Sequence, residues 1–226
     1  QQLQKNGEDY EFGYAVRSSA TIEDCKDISF AGQAETHLCI KGLSRTINAM
    51  KQVWQSTFSP SALMYLKTKG IPINHVKMAV VIQEMIPAEV SGVMFTANVV
   101  NNNTNEMLVN ATWGWGETLV SGKVIPDTYV LEKSPLIVIQ KELGQKQMMS
   151  IPSLAAGTLQ SVLEETPHNK RDKFALEEHA LLKIAQLGLD IEREMGSPQD
   201  IEWCIRPDGR PVILQTRPIT TLNVPL

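Results

Sequence analysis

Apolar residues recur at helical spacing in two parts of the chain. Between Ser44 and Phe58, the residues Ile47, Met50, Trp54 and Phe58 fall 3, 4 and 4 apart. That spacing predicts a helix with these four facing inward and Ser44 at its cap. Pro60 opens a second helix over 61–69, stopped by Gly70. Over 171–195 the apolar set is Leu176, Ala180, Ile184, Leu187, Ile191 and Met195, which predicts the longest helix. Gly188 sits inside it at some cost, and Gly196-Ser197-Pro198 ends it.

Other stretches are patterned as strands. Residues 12–17 form a strand that ends at Arg17, and 76–86, "VKMAVVIQEMI", reads as a buried strand. Strands at 92–98 and 106–114 flank the polar loop "NVVNNNTNE". "DTYVLEK" and "PLIVIQKEL" are two more, and 199–218 is a hairpin about Pro207-Asp208-Gly209. Strands come in consecutive runs and helices cluster elsewhere, which indicates an α+β fold with substantial antiparallel sheet.

Composition narrows the class. The chain has 226 residues, enough for one large domain or two lobes with a real core. Net charge is −4, so no chain-wide basic field recruits nucleic acid. No apolar run approaches the ~18 residues of a membrane helix. Cys25, Cys39 and Cys204 are odd in number and form no CxxC, which suits reduced thiols in a cytoplasmic protein. The chain opens on Gln1 and reaches its first strand within a dozen residues, as expected of a piece of a longer protein. Neither GxGxxG nor GxxxxGK[ST] occurs.

The hairpin carries the sharpest chemistry. Side chains alternate along a strand, so Asp200, Glu202 and Cys204 share one face and Ile201, Trp203 and Ile205 the other. On the second arm Ile213, Gln215 and Arg217 are expected to share a face. A four-residue turn, Pro207 to Arg210, sets Glu202 opposite Gln215 and Asp200 opposite Arg217, with Cβ atoms ~5 Å apart. An odd-length turn without a bulge breaks that pairing. The acid and the amide offer hard oxygens of the kind Mg²⁺ takes, and a guanidinium fork matches phosphate. A plain surface hairpin with one ion pair, worth about 0–1 kcal/mol, fits the same residues.

Two further stretches carry polar groups in unusual places. "VRSSATIED" sets Arg17 before hydroxyls and acids, and "SFAGQAET" adds Gly32. Together, 18–36 reads as a long functional loop whose backbone N–H groups meet an anion, or as a capped loop. "VVIQEMI" places Gln83 and Glu84 inside an apolar strand, where they either touch a nucleotide or point outward from an edge. Trp113 and Trp115 either pack in the core or cover a base.

Taken together, "VRSSATIEDCKDISFAGQAET", "VVIQEMIPAEVSGVMFTAN", "GWGETLVSGKVIPDTYVLEK" and "QDIEW…VILQTRPITTL" resemble the nucleotide-binding domain of the phosphoenolpyruvate synthase / pyruvate, phosphate dikinase family, with the rifampicin phosphotransferase branch nearest in flavour. The resemblance spans about residues 12 to 222 and implies that 1–226 is one ATP-grasp domain lacking an upstream lobe segment. It implies ATP held between two α+β lobes with Mg²⁺. It also implies phosphoryl transfer to a histidine on a separate swivelling domain, then to pyruvate or a drug hydroxyl. By motif, Arg17 would contact the transferring phosphates, and Gly32 and Thr36 would lie in the loop over them. Gln83, Glu84 and Met85 would line the adenine and ribose pocket. Glu202 and Gln215 would hold Mg²⁺, and Arg217 would clamp phosphate. The family's nucleotide-binding lysine lies upstream of this sequence. His37, His75, His168 and His179 lack the Ser-His context of the family's acceptor, so this piece alone is not expected to complete the reaction. The alternative from another class is a non-catalytic regulatory or scaffold module that keeps the fold.

Overall fold

The computed structural model describes residues 11–21, 35–155, 157–220 and 222. The chain divides into two compact units: Gln1–Ile86 with Pro152–Ser161, and Pro87–Ile151 with Val162–Leu226. The architecture is α+β with antiparallel sheets throughout.

The first unit is built on a three-stranded sheet of order β2-β1-β3, where β1 is Tyr14–Ala20, β2 Thr36–Ile40 and β3 Met78–Glu84. Helix α1, Leu43–Ser56, lies behind it, and α2 is Pro60–Thr68. Arg17 is therefore in mid-strand, and Ser18 to Ala20 continue β1 instead of opening a loop. β3 is an edge strand and half-exposed, not a buried one; Val81 is 45% exposed.

Helix α1 turns a different face inward from the one its large residues predict. Thr46, Ala49, Val53 and Ser56 are buried, while Ile47, Trp54 and Phe58 are exposed. Small residues let the helix approach Val16 and Val80 closely, and of the four large residues expected to face inward only Met50 packs there, part-buried. Ser44 does not cap it; Gly42 occupies the cap position. α2 follows expectation: Ser59 accepts the Ala62 N–H at 3.2 Å, Pro60 is the first helical residue, and Gly70 follows with φ +68°.

The second unit is a six-stranded sheet of order β11-β10-β4-β5-β6-β7. Its strands are β4 Val90–Phe95, β5 Glu106–Trp113, β6 Asp127–Lys133, β7 Leu136–Glu142, β10 Gln199–Ile205 and β11 Pro211–Pro218. Short helices α3, Glu117–Val120, and α4, His168–Arg171, lie in the connections. Strands β8, Met148–Ala155, and β9, Thr158–Glu165, pair with each other, with Pro152–Ser161 counted in the first unit, and had no clear sequence signal.

Helix α5, Glu178–Met195, covers one face of this sheet. Its buried stripe is Leu181, Ile184, Ala185 and Gly188, and Met195 is 53% exposed. The helix starts at 178, not 171, so Leu176 is a buried residue of the preceding segment. Gly188 is on the buried face against Met94 and Met107, and a Cβ there has no room unless those side chains move.

Elsewhere in the unit, Asp127 and Lys146 form a fully buried ion pair. Asp127 also accepts the backbone N–H groups of Gly144 at 2.8 Å and Ala175 at 2.6 Å, and Lys146 Nζ donates to the Gly144 carbonyl at 2.9 Å. A buried charge pair holds only when its remaining hydrogen-bonding capacity is met in this way.

Candidate functional site

The β10–β11 hairpin brings together the four residues that the alternation singled out. Asp200 stands opposite Arg217 and Glu202 opposite Gln215. The turn is not the one expected. Arg206 N–H donates to the Arg210 carbonyl at 3.0 Å and Gly209 N–H to the Arg206 carbonyl at 2.8 Å, so the loop is Pro207-Asp208-Gly209. Gly209 has φ +79°, the left-handed residue a three-residue loop requires. The odd loop shifts the pairing near the tip, where Trp203 faces Ile213. A bulge at Leu214, between the 202–215 and 203–213 pairs, then restores the register.

The bulge also corrects one expectation about faces. Ile213 does not share a face with Gln215. It packs against the core beside Trp203, while Gln215 and Arg217 stay with Glu202 and Asp200 on the opposite side. Gly92 is what admits Trp203, since a Cβ there would run into the Asn110 carbonyl and the indole ring.

The face opposite α5 carries an ordered row. Gln215, Glu202, Val93, Asn110 and Thr128 are successive partners across β11, β10, β4, β5 and β6. Asn110 Nδ2 donates to Thr128 Oγ1 at 2.9 Å. The neighbouring row begins with Arg217 and Asp200. Arg217 Nε donates to Asp200 Oδ2 at 2.8 Å, and its Nη2 lies 2.8 Å from the same oxygen. Asp200 is well buried and thereby fixes the plane of the guanidinium. Sequence reasoning placed Asp200 in the hairpin without giving it this role. It passed over Asn110 and Thr128, although their alternation with buried Val109 and Tyr129 was visible.

Glu202 and Gln215 offer a carboxylate and a carboxamide from directly opposed positions on adjacent strands. Two hard oxygens so placed fit a divalent cation that keeps its other positions for water or phosphate. Among the described residues no group of three or more His, Cys, Asp or Glu side chains could hold a metal. A site here would thus rest on this mixed pair.

In the first unit Arg17, Thr36 and Gln83 lie on one face of the three-stranded sheet. Arg17 stands directly opposite Thr36 on β2, and Gln83 is its diagonal neighbour on β3. Arg17 Nη1 donates to Gln83 Oε1 at 3.5 Å. Helix α1 covers the other face through Val16, so these polar groups project away from it. Glu84, one residue on, points to the opposite face from Gln83. Met85 is buried, and its N–H donates to the Gly13 carbonyl at 2.9 Å. Gly32 lies outside the described residues.

The tryptophans serve packing. Trp115 is buried, and Trp113 donates its indole N–H to the Lys170 carbonyl at 3.1 Å while the Lys170 ammonium lies 4.6 Å from the ring centroid. Cys204, on the Glu202 face, is buried, which pushes its thiol up to about 11; the nearby Arg206 opposes this in part. No helix of the described residues is long and apolar enough to cross a membrane.

Comparison with known proteins agrees with these motifs. A probable phosphoenolpyruvate synthase of Pyrococcus horikoshii is 43% identical over 224 residues, covering 97% of this chain and 27% of that protein. One of Methanocaldococcus jannaschii is 39% identical over 217 residues, 96% of this chain and 18% of that protein. A rifampicin phosphotransferase of Bacillus cereus is 38% identical over 212 residues, 94% of this chain and 24% of that protein. The chain thus spans about a quarter of the length of most of these relatives. Residues 1–224 match the family described as pyruvate phosphate dikinase, AMP/ATP-binding domain, and the chain belongs to that family.

Proposed function

We propose that this chain is the ATP-grasp module that binds Mg-ATP and starts phosphoryl transfer to a histidine on a separate swivelling domain of the same polypeptide. The whole enzyme would be a dikinase of the phosphoenolpyruvate synthase or rifampicin phosphotransferase kind. The observation that carries the reading is the double pairing of Glu202 with Gln215 and Asp200 with Arg217 on one side of one ribbon. It sets the pair proposed for the cation one step along the strands from a guanidinium already oriented by a carboxylate.

Glu202 and Gln215 would hold Mg²⁺, which when bound neutralises charge on the phosphates. Arg217, its plane fixed by Asp200, presents donors to phosphate oxygens. Arg17 does the same from mid-β1, with Thr36 beside it and Gly32 in the preceding segment. Gln83 by its side chain, and Glu84 and Met85 by their main chain, would line the adenine and ribose. β3 is the terminal strand of its sheet, so one of its backbone edges has no strand beside it among the described residues. Base recognition by main-chain N–H and C=O groups uses an edge of that sort. Phosphoryl transfer asks chiefly for positioning and charge neutralisation, which this set supplies without a protein nucleophile of its own.

The test is Mg-ATP binding by the full-length protein. Glu202→Ala is expected to weaken Mg-ATP binding about 100-fold and to leave metal-free nucleotide binding within about threefold. Equal Mg-ATP affinity for Glu202→Ala and the unaltered protein would overturn the assignment.

A further inference from the structure

The last turn of α1 reaches both strands that flank β1. Ser56 is 6% exposed; its hydroxyl donates to the Val53 carbonyl at 2.7 Å and accepts the Glu35 N–H at 3.2 Å. Because the hydroxyl proton is committed to Val53, the oxygen faces Glu35 as an acceptor only. Glu35 immediately precedes Thr36, the first residue of β2, and Thr36 stands opposite Arg17. Two residues before Ser56, Trp54 Nε1 donates to the carbonyl of Met78, the first residue of β3, at 3.2 Å. One helical turn therefore ties down the start of β2 and the start of β3, with β1 and its arginine between them.

The fully buried apolar cluster behind these strands is small among the described residues. Behind the sheet, among the described residues, Val16, Ala49 and Val53 are buried with Ile40, Met50, Met78 and Val80 packed part-buried against them, and β2 departs from regular pairing at Cys39, where φ is +60°. The β1–β2 ladder sets Thr36 opposite Arg17, and the Ser56 tether at Glu35 adds a fixed point just before that pair.

We infer that Ser56 is a positioning residue for the phosphate-facing side of the three-stranded sheet. Its hydroxyl sets Thr36 beside Arg17, and Trp54 is its counterpart on β3. This rests on the reading that Arg17 and Thr36 meet the phosphates of ATP.

The experiment titrates Mg-ATP into the full-length protein, well below its melting temperature, and compares single and paired variants. Ser56→Ala is expected to raise the Kd for Mg-ATP about fivefold, the effect of losing one buried hydrogen bond. Ser56→Thr keeps the hydroxyl and is expected to return the Kd to within about twofold. In a Thr36→Ala background, Ser56→Ala should add little, because the group it positions is gone. A purely structural role would lower the melting temperature and leave the two substitutions additive in Kd. Trp54→Phe keeps an aromatic side chain but removes the pyrrole ring with its N–H, and is expected to raise the Kd about twofold; it carries the test if Ser56→Ala does not fold. An unchanged Kd in both Ser56→Ala and Trp54→Phe, or full additivity with Thr36→Ala, overturns the inference. An unchanged Kd in Arg17→Ala overturns the functional reading beneath it instead.

Discussion

Under the six-stranded sheet, one continuous core runs from Val90 and Met94 through Tyr129 and Leu131 to Ile201 and Trp203, sealed by Leu181, Ile184 and Ala185 of α5. Behind the three-stranded sheet, the described residues form smaller clusters: Val16, Ala49 and Val53 in one, Ala62 and Leu66 in another. The larger sheet locates most of its polar row by shape, since Glu202, Asn110 and Thr128 each alternate with residues locked in the core. The smaller sheet locates Arg17 with fewer apolar contacts and with side-chain hydrogen bonds at the strand ends. The strength of burial and the delicacy of placement are inversely related here.

The largest effect expected from this contrast is at Gly92. Gly92→Ala sets a methyl against the Asn110 carbonyl and Trp203, both held by the core. A loss of about 4 kcal/mol or more is expected, read as a drop in the denaturation midpoint of the second unit. Val53→Ala should cost about 2 kcal/mol and act locally. Amide exchange should accelerate in β1 and β2 while β4 and β10 keep their protection. Equal acceleration in both sheets would contradict the contrast.

The smallest effect is at the asparagine-rich hairpin tip. Glu106 accepts amide hydrogen bonds from Asn98 at 2.7 Å, Asn101 at 3.1 Å and Asn103 at 2.8 Å. The Asn98 bond, followed by that of Asn101, holds its carboxyl below the ordinary value of 4.5. A depressed carboxyl stabilises the fold above the unfolded pKa and loses that contribution as pH falls through the folded one. Thermal melts at about pH 6 and about pH 3 should therefore converge slightly in Glu106→Gln relative to the unaltered protein.

Much of this was legible along the chain, for identifiable reasons. Strict alternation in Asp200 to Ile205 marked both faces of β10, because one face is wholly buried. The partners of Glu202 and Asp200 were also legible, although by way of a four-residue turn that the structure replaces with a three-residue loop and a bulge. Helix α1 misled because its largest apolar residues are its exposed ones, and a tight helix–sheet gap selects for small volume over hydrophobicity. Strand β8 was missed because Ser150, Pro152 and Ser153 interrupt its apolar pattern, and β9 because Thr158, Gln160 and Ser161 leave it only Leu159, Val162 and Leu163. The ties from Ser56 to Glu35 and from Asp127 to Lys146 span 21 and 19 positions, and no local pattern announces a polar bond over such a distance.

The surplus residue at Leu214 has one more implication. Excising it would leave Ile213 opposite Trp203 and Gln215 opposite Glu202, because the three-residue loop is untouched and Leu214 alone separates those two pairs. The shortened ribbon would retain every neighbour and relax its local coil, swinging the carboxamide off its line of approach. Partner identity and angular aim are thus separately encoded in this hairpin, and a shortened chain could lose the second while a contact map showed nothing amiss.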